Sequence, residues 1–226
     1  MSPFHRWYKA RRACAVNSQG GWFMIGGRTH YFKSRFEVLV ACHWQHMSEL
    51  KVINSWWYEP YLFKFSKKRG ITEYCPDFEI SHRNLQGHNE NLLVECKGFV
   101  QDKDVRKIRQ FVKDYPECKL MLMVQNLKRL MKSLEKHATA GRQTALRTLE
   151  ALQEWEKDSS QVILSDWTRI QKANKYGLGL FGKATPVDKP VGGRGYNKRQ
   201  ILNQCKNFRL PNEIPQDGAI VDPGAL

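Results

Sequence analysis

Residues 71–99, ITEYCPDFEISHRNLQGHNENLLVECKGF, decide the fold. Two β-rich runs, 71–80 and 91–99, flank a polar stretch holding Asn84, Gly87 and Asn89, and together they read as a hairpin. In the second run Glu95 and Lys97 are two residues apart and share one strand face, while Val94 and Cys96 take the other. One face is therefore expected to be polar and the other core. Asp77 in the first run can stand across from Glu95. Two carboxylates so placed repel unless one is protonated or a cation lies between them. A hard divalent metal meets that need. Asp77, Glu95 and the backbone carbonyl of Cys96 would hold it, with water and a phosphate oxygen in the open positions, as Mg²⁺ prefers. Lys97 beside it would hold the attacking water or neutralise charge growing on a phosphorane. The expected chemistry is metal-assisted hydrolysis of a phosphodiester.

Outward from this stretch the pattern is mixed α/β. Residues 18–33, SQGGWFMIGGRTHYFK, set short aromatic runs between two Gly-Gly pairs, a second hairpin. Ser34 reads as a helix N-cap with Glu37 three residues on, a capping box, and the apolar positions Phe36, Val38, Leu39, Val40, Cys42, Trp44 and Met47 continue a helix to about Leu50. Glu37 is expected to belong to the metal site as well, orienting another metal-bound water. The run 52–65, broken by Glu59-Pro60, predicts two strand pieces or a bent edge strand, and Lys67-Lys68-Arg69-Gly70 a basic turn. Downstream, Val105, Ile108, Phe111 and Val112 mark an amphipathic helix over 102–115, stopped by Pro116, and 119–125 is an apolar strand. Leucines over 127–157, interrupted at 139–141, predict a helical pair or one long bent helix. A last strand at 162–167 leads into a short helix ending near Lys175. The fold class is α/β, one mixed central sheet flanked by helices.

The 226 residues carry a net charge of +15 and 12% aromatics, a balance that expects a polyanion. That charge is not uniform. Residues 1–36 hold seven bases and no acid, 167–209 hold ten bases against Asp188, and 37–166 are left at only +2. Phosphate contacts are expected from Arg11 and Arg12 in the first flank, from Lys67, Lys68, Arg69, Lys103, Arg106 and Lys107 in the body, and from Arg194, Lys198 and Arg199 in the last. Trp7, Tyr8, Trp22 and Phe23 lie among the N-terminal bases; the last two serve equally well as hairpin core. No CxxC pair and no continuous apolar N-terminal stretch occur, so a reducing cytosol is expected, with Cys42, Cys96 and Cys118 as buried thiols. The longest apolar run, LMLMV at 120–124, is too short to span a bilayer.

Other constellations fare worse. GHNEN at 87–91 has part of an HNH pattern but lacks the second histidine. His43 and His46 share a helix with Cys42 at spacings poor for a common metal and are expected to be partly exposed. No GxSxG elbow aims a serine. Glu59 serves as well in an edge ion pair as on a metal, and it is left outside the catalytic set.

The segments YFKSRFE, WWYEP, YCPDF, VECKG and the helix after them resemble the PD-(D/E)XK nuclease superfamily over about residues 28–125. The nearest likeness is to compact phage and mobile-element members: the Holliday-junction-resolving endonuclease I of phages, phage head-completion nucleases and the endonuclease subunit of heteromeric transposases. The resemblance implies a restriction-endonuclease-like core, Mg²⁺ or Mn²⁺ as cofactor, Asp77, Glu95 and Lys97 as catalytic residues and Glu37 as the helix-borne acid. It implies DNA as partner and a phage or transposition protein as a further one; a homodimer is expected because one site cuts one strand and a symmetric junction offers two. The stretch between Asp77 and Glu95 is longer than in the smallest members. The chain then divides into a basic aromatic arm and hairpin (1–33), the nuclease core (34–126), a helical extension with a late strand (127–175) and a basic Gly/Pro-rich tail (176–226). The competing expectation is a nucleic-acid-binding assembly or transposition protein that keeps this fold without turnover.

Overall fold

A computed structural model describes residues 20–66, 70–175 and 185–186. Arg11, Arg12, Lys67, Lys68, Arg69, Arg194, Lys198 and Arg199 lie outside the described residues, as do Trp7 and Tyr8.

The first hairpin forms as its glycines predict. Strands β1 (Gly21–Ile25) and β2 (Arg28–Phe32) pair antiparallel, leaving Gly26 and Gly27 as a two-residue turn. Both have positive φ, 58° and 76°, the geometry of a primed turn that glycine adopts without strain. A Cβ on Gly26 would collide with the side-chain amide of Gln45. Phe23 points into the core, whereas Trp22 packs edge-on against Tyr31.

Helix α1 (Arg35–Glu49) starts at Ser34, whose Oγ accepts the Glu37 N–H at 3.2 Å. The reciprocal half of the predicted capping box differs. The Glu37 carboxylate takes the N–H of Lys33, one residue before the cap. His43 corrects a second expectation: it is buried, its ring 4.8 Å from that of Trp44 and 5.7 Å from that of Trp167, because α1 is enclosed by both the sheet and the last helix. Only His46 of that pair is half-exposed.

The run 52–65 does split at Glu59-Pro60. Strand β3 (Ser55–Tyr58) forms the edge of a five-stranded sheet, and β4 (Phe63–Lys64) pairs with β5 (Glu73–Tyr74) in a separate ribbon. Strands β6 (Phe78–Arg83) and β7 (Asn89–Lys97) make the central hairpin, with Phe78 opposite Val94 and Arg83 opposite Asn89. The ladder absorbs much of the polar stretch. Only residues 84–88 turn, with Gly87 at φ 81° and Asn84 Oδ1 accepting the N–H groups of Gln86 and His88. The extra length between Asp77 and Glu95 is therefore mostly longer paired strand, and the His88-Asn89 dipeptide sits where the turn enters β7.

Helix α2 (Asp102–Asp114) crosses to β8 (Leu120–Val124), which pairs parallel with β7. Helices α3 (Leu127–Thr139) and α4 (Gln143–Lys157) are two separate helices turning at Gly141, φ 79°. Strand β9 (Val162–Asp166) pairs parallel with β8, helix α5 (Trp167–Lys175) follows, and β10 (Thr185–Pro186) pairs with β1. The sheet order is β3-β6-β7-β8-β9, mixed and flanked by helices.

Both sheet faces are packed, which corrects the expectation of one polar face. On one side Trp56, Tyr58, Phe78, Val94 and Cys96 meet α1, the first hairpin and Trp167. On the other, Leu93, Leu120, Leu122 and Val124 meet α2, α3 and α4, so residues 127–157 share the main core. The Glu95 face is thus apolar along Leu93 and becomes polar only where β7 ends. Cys42 and Cys96 are buried thiols, Cys118 is half-buried, and the four described cysteines are free. Among the described residues no helix is long and apolar enough to cross a membrane.

Candidate active site

The register places the two carboxylates. Phe78 pairs with Val94, so one step further along the antiparallel ladder Asp77 faces Glu95. Asp77 is held at both ends of its residue: its carbonyl accepts the Glu59 N–H at 2.8 Å, and its Oδ2 accepts the Cys96 N–H at 2.7 Å. Along β7 the N–H and carbonyl of one residue point to the same neighbour, so the Cys96 carbonyl lies on the Asp77 side as well.

Glu95 is 1% exposed and has three donors. Lys97 Nζ and Lys107 Nζ both approach Oε1, at 2.7 and 2.8 Å, and the Tyr74 hydroxyl donates to Oε2 at 3.0 Å. Lys97 also stands 3.9 Å from Asp104 Oδ1. Asp104 in turn closes the capping box of α2, its Oδ2 accepting the Gln101 N–H at 2.9 Å. The helix that follows the motif is thereby fixed to the strand that carries it.

Glu37 arrives from the opposite side of the sheet. Its Oε2 accepts the Tyr58 hydroxyl at 2.7 Å and the Lys33 N–H at 3.0 Å, and its Oε1 the Ser34 hydroxyl at 2.7 Å. The predicted quartet of Glu37, Asp77, Glu95 and Lys97 therefore gathers at one end of the sheet, Glu95 and Lys97 from the α2 face and Glu37 from the α1 face.

Electrostatics tells the two central carboxylates apart. Burial and the negative charge of Glu95 push the Asp77 carboxyl well above its ordinary range, against the pull of Lys97 and the Cys96 N–H. Burial works on Glu95 the same way, but the ammoniums of Lys97 and Lys107 outweigh it and hold the carboxyl below its ordinary value. Burial opposes charge on Lys97 too, and Glu95 and Asp77 overcome it, raising the ammonium above its ordinary pKa. Asp77 is thus the carboxylate left short of positive charge.

Two carboxylates and a carbonyl are hard oxygen donors of the kind Mg²⁺ or Mn²⁺ accepts with several waters, and at Asp77 either a proton or a cation relieves the repulsion from Glu95. Among the described residues no group of three His, Cys, Asp or Glu side chains converges on one point, so the protein side chains alone would not complete such a shell.

No family model, curated protein or solved structure matches the chain.

Three further residues join the site: Lys107, which the motif reading placed elsewhere, Tyr74, which it passed over, and Glu59, for which an edge ion pair was one of two expectations. Lys107, expected among outward phosphate contacts, turns in to Glu95 with its Nζ 4.6 Å from the Tyr74 ring centre. Tyr74 itself carried no signal beyond a β-former next to the motif. Glu59 has φ 45°, uncommon for a residue with a side chain, and its carboxylate pairs with Lys33 Nζ beside Tyr58 and Asp77. The Glu-Pro break marked the kink but not its direction. Of the other expected contacts, Lys103 and Arg106 are exposed, and with Phe99, His137 and Arg142 they line a cleft next to the end of β7.

Proposed function

We propose that the protein is a metal-dependent DNA endonuclease with a restriction-endonuclease-like core, of the phage or mobile-element kind that acts on branched or end structures. One observation carries the reading: Asp77 faces Glu95 across the central hairpin, with Lys97 on Glu95 and Glu37 closing from the other side of the sheet. Buried carboxylates that repel each other are costly for a fold that only has to be stable, and they are the arrangement a cation-dependent phosphodiesterase needs.

In this reading Asp77, Glu95 and the Cys96 carbonyl would hold Mg²⁺ or Mn²⁺, which when bound supplies Lewis-acid polarisation and a water of lowered pKa. Lys97, kept charged by its carboxylate neighbours, offsets the negative charge that grows on the phosphate as the nucleophile adds. Glu37, fixed by Tyr58, Ser34 and Lys33, orients water at the α1 side. The cleft lined by Lys103, Arg106, His137 and Arg142 supports a phosphate backbone running past the site, with the basic flanks adding affinity that carries no sequence information.

The test is incubation of the full chain with Mg²⁺ or Mn²⁺ and supercoiled, branched and single-stranded DNA. Cleavage is expected, and Asp77→Ala and Lys97→Ala should each lower it by about 10²-fold or more. Absence of cleavage on every substrate, or equal cleavage by the variants, would overturn the reading. A second reading has an observation of its own. The oxygens of Glu95 and Glu37 are already satisfied by the chain's own donors, as in a nucleic-acid-binding assembly or transposition protein without turnover. For that protein, metal-independent binding survives Glu95→Ala while the wild type cuts nothing.

A further inference from the structure

Two ammonium groups converge on a single oxygen atom. Lys97 Nζ lies 2.7 Å and Lys107 Nζ 2.8 Å from Glu95 Oε1, and only the Tyr74 hydroxyl serves Oε2 in the described contacts. A structural ion pair needs one cation. Pinning two on one atom sets like charges against each other, a cost met by their common attraction to Glu95 and, for Lys97, by Asp77 and Asp104 as well. The two lysines also differ in tether. Lys97 belongs to β7 itself, and its second acidic neighbour is Asp104. Lys107 reaches in from α2 and rests on the Tyr74 ring at 4.6 Å, while both side chains are about equally open to solvent, 20% for Lys107 and 23% for Lys97. A flexible four-carbon stem over an aromatic face can swing outward without breaking any packed contact of the strand.

We infer that Lys107 is an internal stand-in for the divalent cation: in the metal-free protein it fills the cation position on Glu95, and once Glu95 is claimed it turns to a non-bridging oxygen of the scissile phosphodiester. This rests on the nuclease reading above. Charge balance agrees with it. Glu37, Asp77 and Glu95 bring three negative charges and Lys97 and Lys107 two positive ones. Asp104, 3.9 Å from Lys97, adds a fourth negative charge, so a dication and one phosphodiester leave the site nearest to neutrality when Lys107 stays close. It therefore moves from carboxylate to phosphate and does not leave the site.

The test uses the full chain, without DNA for binding and with DNA for turnover. Mn²⁺ affinity is measured by electron paramagnetic resonance for wild type and Lys107→Met, which keeps the apolar stem over Tyr74 but removes the resident charge. Mn²⁺ should bind the variant about tenfold more tightly, the effect of deleting one like charge a few ångströms away, while single-turnover cleavage falls by about 10²-fold. A purely structural Lys107 would weaken both. Lys107→Gln provides the same pair of readouts where the Met variant does not fold. Unchanged or weaker Mn²⁺ binding by a folded variant, with a wild type that binds Mn²⁺ and cuts DNA, overturns the stand-in alone. A wild type that neither binds Mn²⁺ nor cuts DNA overturns the nuclease reading, and this inference with it.

Discussion

At the scale of single residues, Glu95 and Asp77 behave as opposites, and substitution should expose the difference. Glu95 neutralises two lysines in a buried place, so Glu95→Ala strands both and is expected to cost about 3 kcal/mol of stability, measured by urea unfolding. Asp77 already leans toward its protonated form through burial and the charge of Glu95. Asp77→Asn, which keeps an acceptor for the Cys96 N–H, should leave the unfolding midpoint unchanged or raised and, on the nuclease reading proposed above, abolish Mg²⁺-dependent cleavage. A midpoint lowered as far as that of Glu95→Ala would contradict this assignment of charge. The pair was legible in the sequence because strand alternation and antiparallel pairing are arithmetic once a hairpin is recognised. Glu59 was legible only as an edge ion-pair partner or a metal ligand, and Lys107 not at all as a residue of the site. One depends on a backbone turned to φ 45°, the other on which way a helix faces after a crossover, and neither is written in residue spacing.

At the scale of elements, α1 illustrates how enclosure changes a side chain. Helical periodicity marked its apolar stripe, but a second layer, Trp167 at the start of α5, covers the flank where His43 lies. That contact joins residues more than a hundred positions apart, so the half-exposed histidine read from local pattern is in fact buried. Burial, helped by the nearby His46, lowers its pKa from 6.5 to about 4. Between those values the unfolded chain binds a proton that the folded one rejects. The stabilising contribution is therefore complete above about pH 6.5 and is lost as pH falls toward 4, with a slope approaching 1.4 kcal/mol per pH unit. Thermal unfolding of His43→Gln compared with wild type at pH 7.5 and pH 5 should show a smaller acid-induced drop in the variant. An equal drop would place the acid sensitivity elsewhere. The helices α3 and α4 offer a further check. Leu152 is fully buried in the same cluster as Leu93 and Leu122, so Leu152→Ala should lower stability by about 3 kcal/mol in one cooperative transition that includes the sheet. A separate early transition for these helices would contradict the shared core.

At the scale of the whole molecule, charge and chemistry are divided between different parts of the chain. Residues 37–166 carry only +2 and hold the carboxylates, while the strongly basic stretches lie at 1–36 and 167–209. If those stretches grip phosphates, replacing Arg194, Lys198 and Arg199 by Gln should flatten the dependence of log K on log salt by about 3 units and leave the cleavage rate at saturating DNA nearly unchanged. A fall in that rate with no change in the salt slope would give these residues a different task. The α/β class and the order of most elements were readable because each segment carries its own period and its own stops. What the sequence could not display was the packing of both sheet faces, since the apolar partners of β7 come from α1 on one side and α2, α3 and α4 on the other.

The long central hairpin also bears on how this chain can be engineered. From Asp77 to Arg83 the strand rises about 20 Å, so the turn at 84–88 stands well away from the carboxylates it indirectly aligns. A tag, a fluorescent domain or a pair of new chain termini placed between Gln86 and Gly87 should be accommodated there, with the Asp77–Glu95 alignment preserved by the six paired positions in between.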